Sequence, residues 1–197
     1  MGPPGLPCII NGTEIEFPGG PAVKLLTEPP CDPFAFGDAP VVAIEMWNGS
    51  TIRVQLDPSA APITVAYFLS LVQQGFYDCL KFHRVVPGFM IQGGDPTGTG
   101  DGETDCYLKG EFAQNGVPNP LHHTRGAISM ARQDDCDSAS CQFFIMQSDR
   151  YGLDGQYAAF GHVIEGIEAV DQVARIPVDA NSAPTVPVIM RRVYVEQ

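Results

Sequence analysis

Inside FHRVVPGFMIQGGD, residues 82–95, Arg84 and Gln92 stand among large hydrophobes on either side of Pro87-Gly88. A guanidinium stays charged at working pH and presents donors in a fixed fork, while an amide both donates and accepts. Beside an apolar floor, two such groups are the few convergent polar contacts that a binding pocket needs. A second stretch, QFFIMQ at 142–147, supplies that floor, because Phe143 and Ile145 alternate with Phe144 and Met146 and leave both faces apolar. Only one face of a small barrel's strand meets its core, so the other is expected to form a groove lined by Phe89, Met90 and Phe144, with Arg84 and Gln92 at its edge. An arginine taken alone could equally lay its stem over the barrel surface, so the reading rests on these groups converging.

Other constellations carry less. His83, His122, His123 and His162 include no H-x3-5-H pairing, and the six cysteines offer a single C-x4-C, Cys136–Cys141, without a second ligand pair, so core or loop roles and no metal are expected. GGDPTGTGDGET has the glycines of a phosphate cradle without its GK[ST] ending, and its acids repel phosphate. Ser129 and Ser140 lie outside any G-x-S-x-G setting. Reduced thiols are expected, with a Cys136–Cys141 disulfide the lesser alternative, and Asn11-Gly12-Thr13 and Asn48-Gly49-Ser50 read as turns rather than glycan acceptors.

The elements that must position the groove follow from periodicity. VVAIEMWNGSTIRVQL alternates on both sides of Asn48-Gly49 and predicts a hairpin. Pro62 opens a helix with Val65, Phe68, Leu69 and Val72 on one stripe, and Gly75 closes it. Short apolar runs at 80–86, 89–92, 126–131, 143–147 and 158–164, a helix near 167–174 and a strand at 188–195 complete the chain. The expected fold is mainly β, a closed eight-stranded antiparallel barrel capped by two helices, since closure removes exposed edges. Nine of the 18 prolines fall within residues 1–40, which therefore read as a Pro/Gly-rich N-terminal extension carrying one short hairpin, IINGTEIEF, ahead of a domain at 41–197.

FHRVVPGFMIQGGD, HTRGAISMAR, SCQFFI and LDGQYAAFGHV, in this order and spacing, resemble the cyclophilins, a class of peptidyl-prolyl cis-trans isomerases, over about residues 41–196. The LDGQYAAFG form is similar to the short bacterial branch. The resemblance implies that Arg84 is catalytic, that Gln92 bonds substrate backbone, and that Phe89, Met90, Phe144 and Leu153 hold the proline ring. It places Ala131, Arg132 and Gln142 along the residue before proline. Tyr157 stands where the family has its pocket histidine, Gly152 lies nearest the place of a frequent tryptophan, and Arg132 replaces a common asparagine. Without that indole, cyclosporin-type macrocycles are expected to bind weakly.

Rotation about a prolyl bond breaks no covalent bond and needs no cofactor. As the amide twists, its nitrogen regains a lone pair that a guanidinium can bind selectively. Bringing an uncatalysed prolyl bond to ordinary turnover takes roughly 3–7 kcal/mol off a barrier of about 18–20 kcal/mol. The expected function is isomerisation of X-Pro bonds in peptides and unfolded chains. A proline-peptide binding module without catalysis is the alternative, which would not require Arg84.

Composition limits the partners. With 11 basic against 23 acidic residues, a net charge of −12 and a pI near 4.5, the chain repels phosphate backbones and anionic lipid. Neither nucleic acid nor a membrane is expected as partner. The N-terminal sequence has no secretory pattern, so a cytoplasmic monomer is expected.

Overall fold

The computed structural model of the protein describes residues 24–196. Among these, the strands are β1 (Lys24–Leu26), β2 (Val41–Met46), β3 (Thr51–Leu56), β4 (Phe82–Val86), β5 (Met90–Gly93), β6 (Cys106–Leu108), β7 (Ala127–Met130), β8 (Phe143–Met146), β9 (Ala159–Glu165) and β10 (Met190–Val195). The helices are α1 (Pro62–Gln73) and α2 (Ile167–Ala174). The hairpin IINGTEIEF lies outside the described residues.

β2 and β3 pair around Asn48-Gly49, where Gly49 takes a positive φ of 87° that L side chains avoid. Val42, Ile44, Met46, Ile52, Val54 and Leu56 all point into the core. Trp47, at the turn, is 69% exposed. α1 has Pro62 in its first turn and buries Val65, Phe68, Leu69 and Val72 as its stripe predicts. Ala61 gives the helix no side-chain cap. Glu111 caps it from a distance, accepting from the amides of Ile63 (2.9 Å) and Thr64 (2.8 Å) and from the Thr64 hydroxyl (2.7 Å). Burial pushes the Glu111 carboxyl above the ordinary range against the pull of those donors.

Eight strands form one antiparallel sheet in the order β10-β2-β3-β9-β7-β8-β5-β4, curled around an aromatic core in which Phe68 lies 5.1 Å from Phe160 and 5.6 Å from Phe143. The strand count agrees with the sequence pattern, but the closed barrel does not: the sheet is an open half-barrel. No ladder joins β10 to β4. A single bridge between Lys81 and Ile189, with Phe82 N–H donating to Val188 O and Met190 N–H to Leu80 O, draws the ends together. Closure stops there because β10 commits Met190–Val195 to β2, while the Val85 amide donates to Ser182 O in the preceding loop. That loop covers the free edge of β4.

A second, two-stranded sheet pairs β6 in parallel with β1, which lies inside the first 40 residues that the sequence reads as an extension. Leu26 is buried in the main core. A chain beginning at Asp38 is expected to fold with a lower melting temperature, since burying one leucine contributes about 1.5–3 kcal/mol. Thermal unfolding of the two chains checks this, and an unfolded product would make β1 part of the obligatory core.

Candidate active site

β4 and β5 are joined through Pro87-Gly88, and their register sets Arg84 opposite Gln92 and Gln92 opposite Phe144 on β8. The Arg84 guanidinium donates through Nη1 to Gln92 Oε1 at 3.2 Å. Gln92 Nε2 donates to Gln142 Oε1 at 2.9 Å, and Gln142 Nε2 donates to the carbonyls of Gly100 (2.8 Å) and Gly102 (2.9 Å). Each amide is thereby oriented by its neighbour. Arg84 is exposed and makes no ion pair among the described residues, so its charge remains available.

Strict alternation would turn His83 to the core, opposite Arg84. The structure corrects this. Phe82 and Val85, three residues apart, both enter the main core, and an irregularity between Phe82 and Arg84 absorbs the extra residue. His83 is thus carried to the outer side with Arg84, beneath the loop over residues 95–102, where a Cβ on Gly100 would come within 3.9 Å of its ring. The ring is 7% exposed, and neither nitrogen has a hydrogen-bond partner. Burial lowers its pKa, outweighing the pull of Asp95.

The two-faced reading of β8 agrees with the packing. Phe143 and Ile145 belong to the main core, whereas Phe144 and Met146 form a separate buried cluster with Met90 and Ala127. Val86, Phe89, Ala131, Leu153 and Tyr157 pack against that second cluster. Phe89, Met90, Ala131, Phe144, Leu153 and Tyr157 are therefore brought together as one apolar floor, with Arg84, Gln92 and Gln142 beside it. Arg150 closes the far rim, its guanidinium 5.6 Å from the Phe89 ring centre.

Support beneath this floor was not singled out from the sequence. His123 is fully buried, stacks on Phe144 at 6.0 Å and meets Tyr157 edge-on at 6.4 Å. Its Nδ1 lies 2.9 Å from Asp154 Oδ1 and its Nε2 3.0 Å from Ser129 Oγ. Burial lowers the His123 pKa, so the neutral ring donates through Nδ1 and accepts from the serine. Burial works to raise the Asp154 pKa, but the His123 amide and the two neighbouring imidazoles hold it below the ordinary range. The HTRGAISMAR and LDG motifs contain these residues, but only folding brings them together.

The Arg132 guanidinium is engaged by its neighbours. It lies 4.7 Å from the Tyr157 ring centre and 5.3 Å from that of Phe112, and it donates to the carbonyls of Gln156 (3.0 Å) and Gln133 (2.8 Å). Beside it opens a cavity of about 330 Å³ whose wall includes Gln92, Gly102, Glu103, Arg132, Ser140 and Gln142. No group of three or more His, Cys, Asp or Glu among the described residues is placed to hold a metal, and Cys136 and Cys141 are both thiols.

The family model described as cyclophilin type peptidyl-prolyl cis-trans isomerase/CLD matches residues 41–195. The chain belongs to the cyclophilin family. Among its relatives, peptidyl-prolyl cis-trans isomerase B of Bacillus subtilis is 45% identical over 121 residues, covering 61% of this chain and 81% of that protein. Peptidyl-prolyl cis-trans isomerase ppi1 of Schizosaccharomyces pombe is 39% identical over 137 residues, covering 69% and 86%. A cyclophilin crystal structure from Cryptosporidium parvum superposes with a TM-score of 0.74 at 31% identity, covering 81% of this chain and 98% of that one. The same protein has been crystallised in the presence of the dipeptide Ala-Pro, with a TM-score of 0.72 at 32% identity and coverage of 80% and 99%. This cyclophilin is thus a peptidyl-prolyl isomerase by family.

Proposed function

We propose that the outer groove of β4, β5 and β8 rotates X-Pro bonds, with Arg84 as its catalytic residue. The observation that carries this reading is an exposed guanidinium without an ion-pair partner among the described residues, held by Gln92 at the edge of a buried apolar floor. The proline ring rests on Phe89, Met90, Phe144 and Leu153, with Tyr157 closing the end. Gln92 and the segments at Ala131, Arg132 and Gln142 bind the preceding peptide. As the amide twists, Arg84 binds the lone pair that planarity had delocalised, and the weakly solvating floor disfavours the charge-separated planar amide. No proton is transferred, so neither a general base nor a cofactor is needed.

The substrates on this reading are proline-containing peptides and unfolded or flexible protein chains, and the protein acts as a cytoplasmic monomer. The net charge of −12 disfavours nucleic acid and anionic membranes, and no helix among the described residues is long and apolar enough to cross a membrane. Cyclosporin-type macrocycles bind weakly because Gly152 offers no indole. A protease-coupled assay on an X-Pro peptide tests the central claim. Peptide binding with no acceleration would make the groove a binding module.

Activity on an uncharged peptide is expected to be flat between about pH 6 and 8, because the guanidinium stays charged and the buried rings of His83 and His123 stay neutral. Both rings have folded pKa values below the unfolded reference of about 6.5. Their contribution to stability is complete above that value and is lost as pH falls through the folded values. A rate profile and melting temperatures across this range check both parts. An inflection in rate near pH 6.5 that His83→Gln removes would mean that His83 titrates in the groove.

A further inference from the structure

β1 lies ahead of the residues that match the family model, yet it is linked to the wall of the cavity beside the groove. The Lys24 amide donates to Asp105 O at 2.8 Å, the Lys109 amide donates to Leu26 O at 2.8 Å, and the Leu26 side chain enters the core. From β6, Leu108 bridges to Ala139, so residues 24–26, 106–108 and 139 lie side by side. The residues flanking these contacts wall the cavity: Gly102 and Glu103 ahead of β6, and Ser138 and Ser140 on either side of Ala139. Thr104 ties the two walls, its amide 2.9 Å and its hydroxyl 2.7 Å from Ser140 Oγ. Gln142 then links Gly102 to Gln92 beside Arg84.

We propose that β1 is a strap that holds the cavity wall in its binding shape, with Leu26 as the positioning residue that makes this cyclophilin selective for extended peptide. The cavity shares Gln92, Ala131, Arg132 and Gln142 with the groove, so the chain preceding the X-Pro pair runs along it. This rests on the assignment of the groove above. Held by β1, residues 102–108 meet the peptide already ordered. Released, they must be ordered at binding, and that cost weakens binding of extended peptide only. The X-Pro pair itself sits on the β4, β5 and β8 face, whereas β1 pairs with β6.

The test uses the full chain with Leu26→Asp and Leu26→Ala and two substrates: a blocked Ala-Pro dipeptide, and a peptide with three further residues ahead of the same pair. Isomerisation is followed by NMR exchange. Leu26→Asp is expected to raise KM for the longer peptide about fivefold at unchanged kcat, equivalent to about 1 kcal/mol of binding, and to leave the dipeptide unaffected. Leu26→Ala should shift KM in the same direction by less, and amide exchange at Leu108 and Lys109 should quicken in both variants. Equal losses on both substrates, or no change on either, overturn the strap. If Leu26→Asp does not fold, the same readings on Leu26→Ala decide. Wild-type protein inactive on both peptides would instead overturn the reading of the groove itself.

Discussion

Arg84→Ala is expected to lower kcat/KM by about 10²–10³-fold, the usual loss when one preorganised donor to a transition state is removed. Stability should stay within about 0.5 kcal/mol of wild type, as for other exposed substitutions. The guanidinium's single hydrogen bond among the described residues goes to Gln92, which keeps its own bond to Gln142. Arg84→Lys preserves the charge but loses the fork, and should recover only part of the rate. Turnover and melting temperature measured on the same preparations check the prediction. Near-native turnover in Arg84→Ala would remove Arg84 from the mechanism, and a large drop in melting temperature would make it structural.

Phe143→Ala and Phe144→Ala should fail in different ways although they are neighbours. Phe143 packs edge-on against Phe68, Tyr77 and Phe82 in the main core, so its truncation is expected to cost about 3–5 kcal/mol. That is a large part of the total stability of an ordinary domain. Phe144 lies on the other face, stacked on His123 and edge-on to Tyr157. Its loss removes a contact surface worth about 1.5–3 kcal/mol, which should raise KM roughly tenfold to a hundredfold. Phe144→Leu should restore part of the affinity. Denaturant melts combined with kinetics on the folded fraction separate the two cases. Equal loss of activity per folded molecule in both alanine variants would mean that β8 does not divide its faces in this way.

What could be read from the sequence was local. Asn48-Gly49 between alternating runs specifies the β2–β3 hairpin, Pro62 with its apolar stripe specifies α1, and the doubly apolar 143–146 demands two burial sites. Arg84 and Gln92 were legible as neighbours because the turn between β4 and β5 sets their register, and Phe144 was legible as a residue facing away from the core because its strand is apolar on both faces. Long-range partnerships were not legible. Glu111 caps α1 from 48 residues away and Asp154 meets the His123 amide across 31, and no periodicity encodes either. β1 was hidden because three residues among prolines and glycines show no alternation. His83 was misplaced because a period of two cannot anticipate an extra residue in β4. The open sheet was missed for a related reason: strand count argues for closure, but whether β10 and β4 meet depends on where β10 stops pairing and on the loop that occupies β4's edge.

The exposure of Trp47 has an optical consequence. It is the chain's only tryptophan, already 69% exposed in the folded state, and it sits at the turn between β2 and β3 rather than on the strands that form the groove. Its emission should resemble that of indole in water before and after unfolding, and should barely respond to a bound peptide. Unfolding is better followed through the near-ultraviolet dichroism of the packed Phe68, Tyr77 and Phe143 rings. For binding, Gly152 offers a place to install a reporter: it is exposed, and a Cβ there would meet no atom within 4 Å. Gly152→Trp in a Trp47→Phe background would place a single fluorophore next to Leu153, where quenching or a blue shift would register each peptide as it docks.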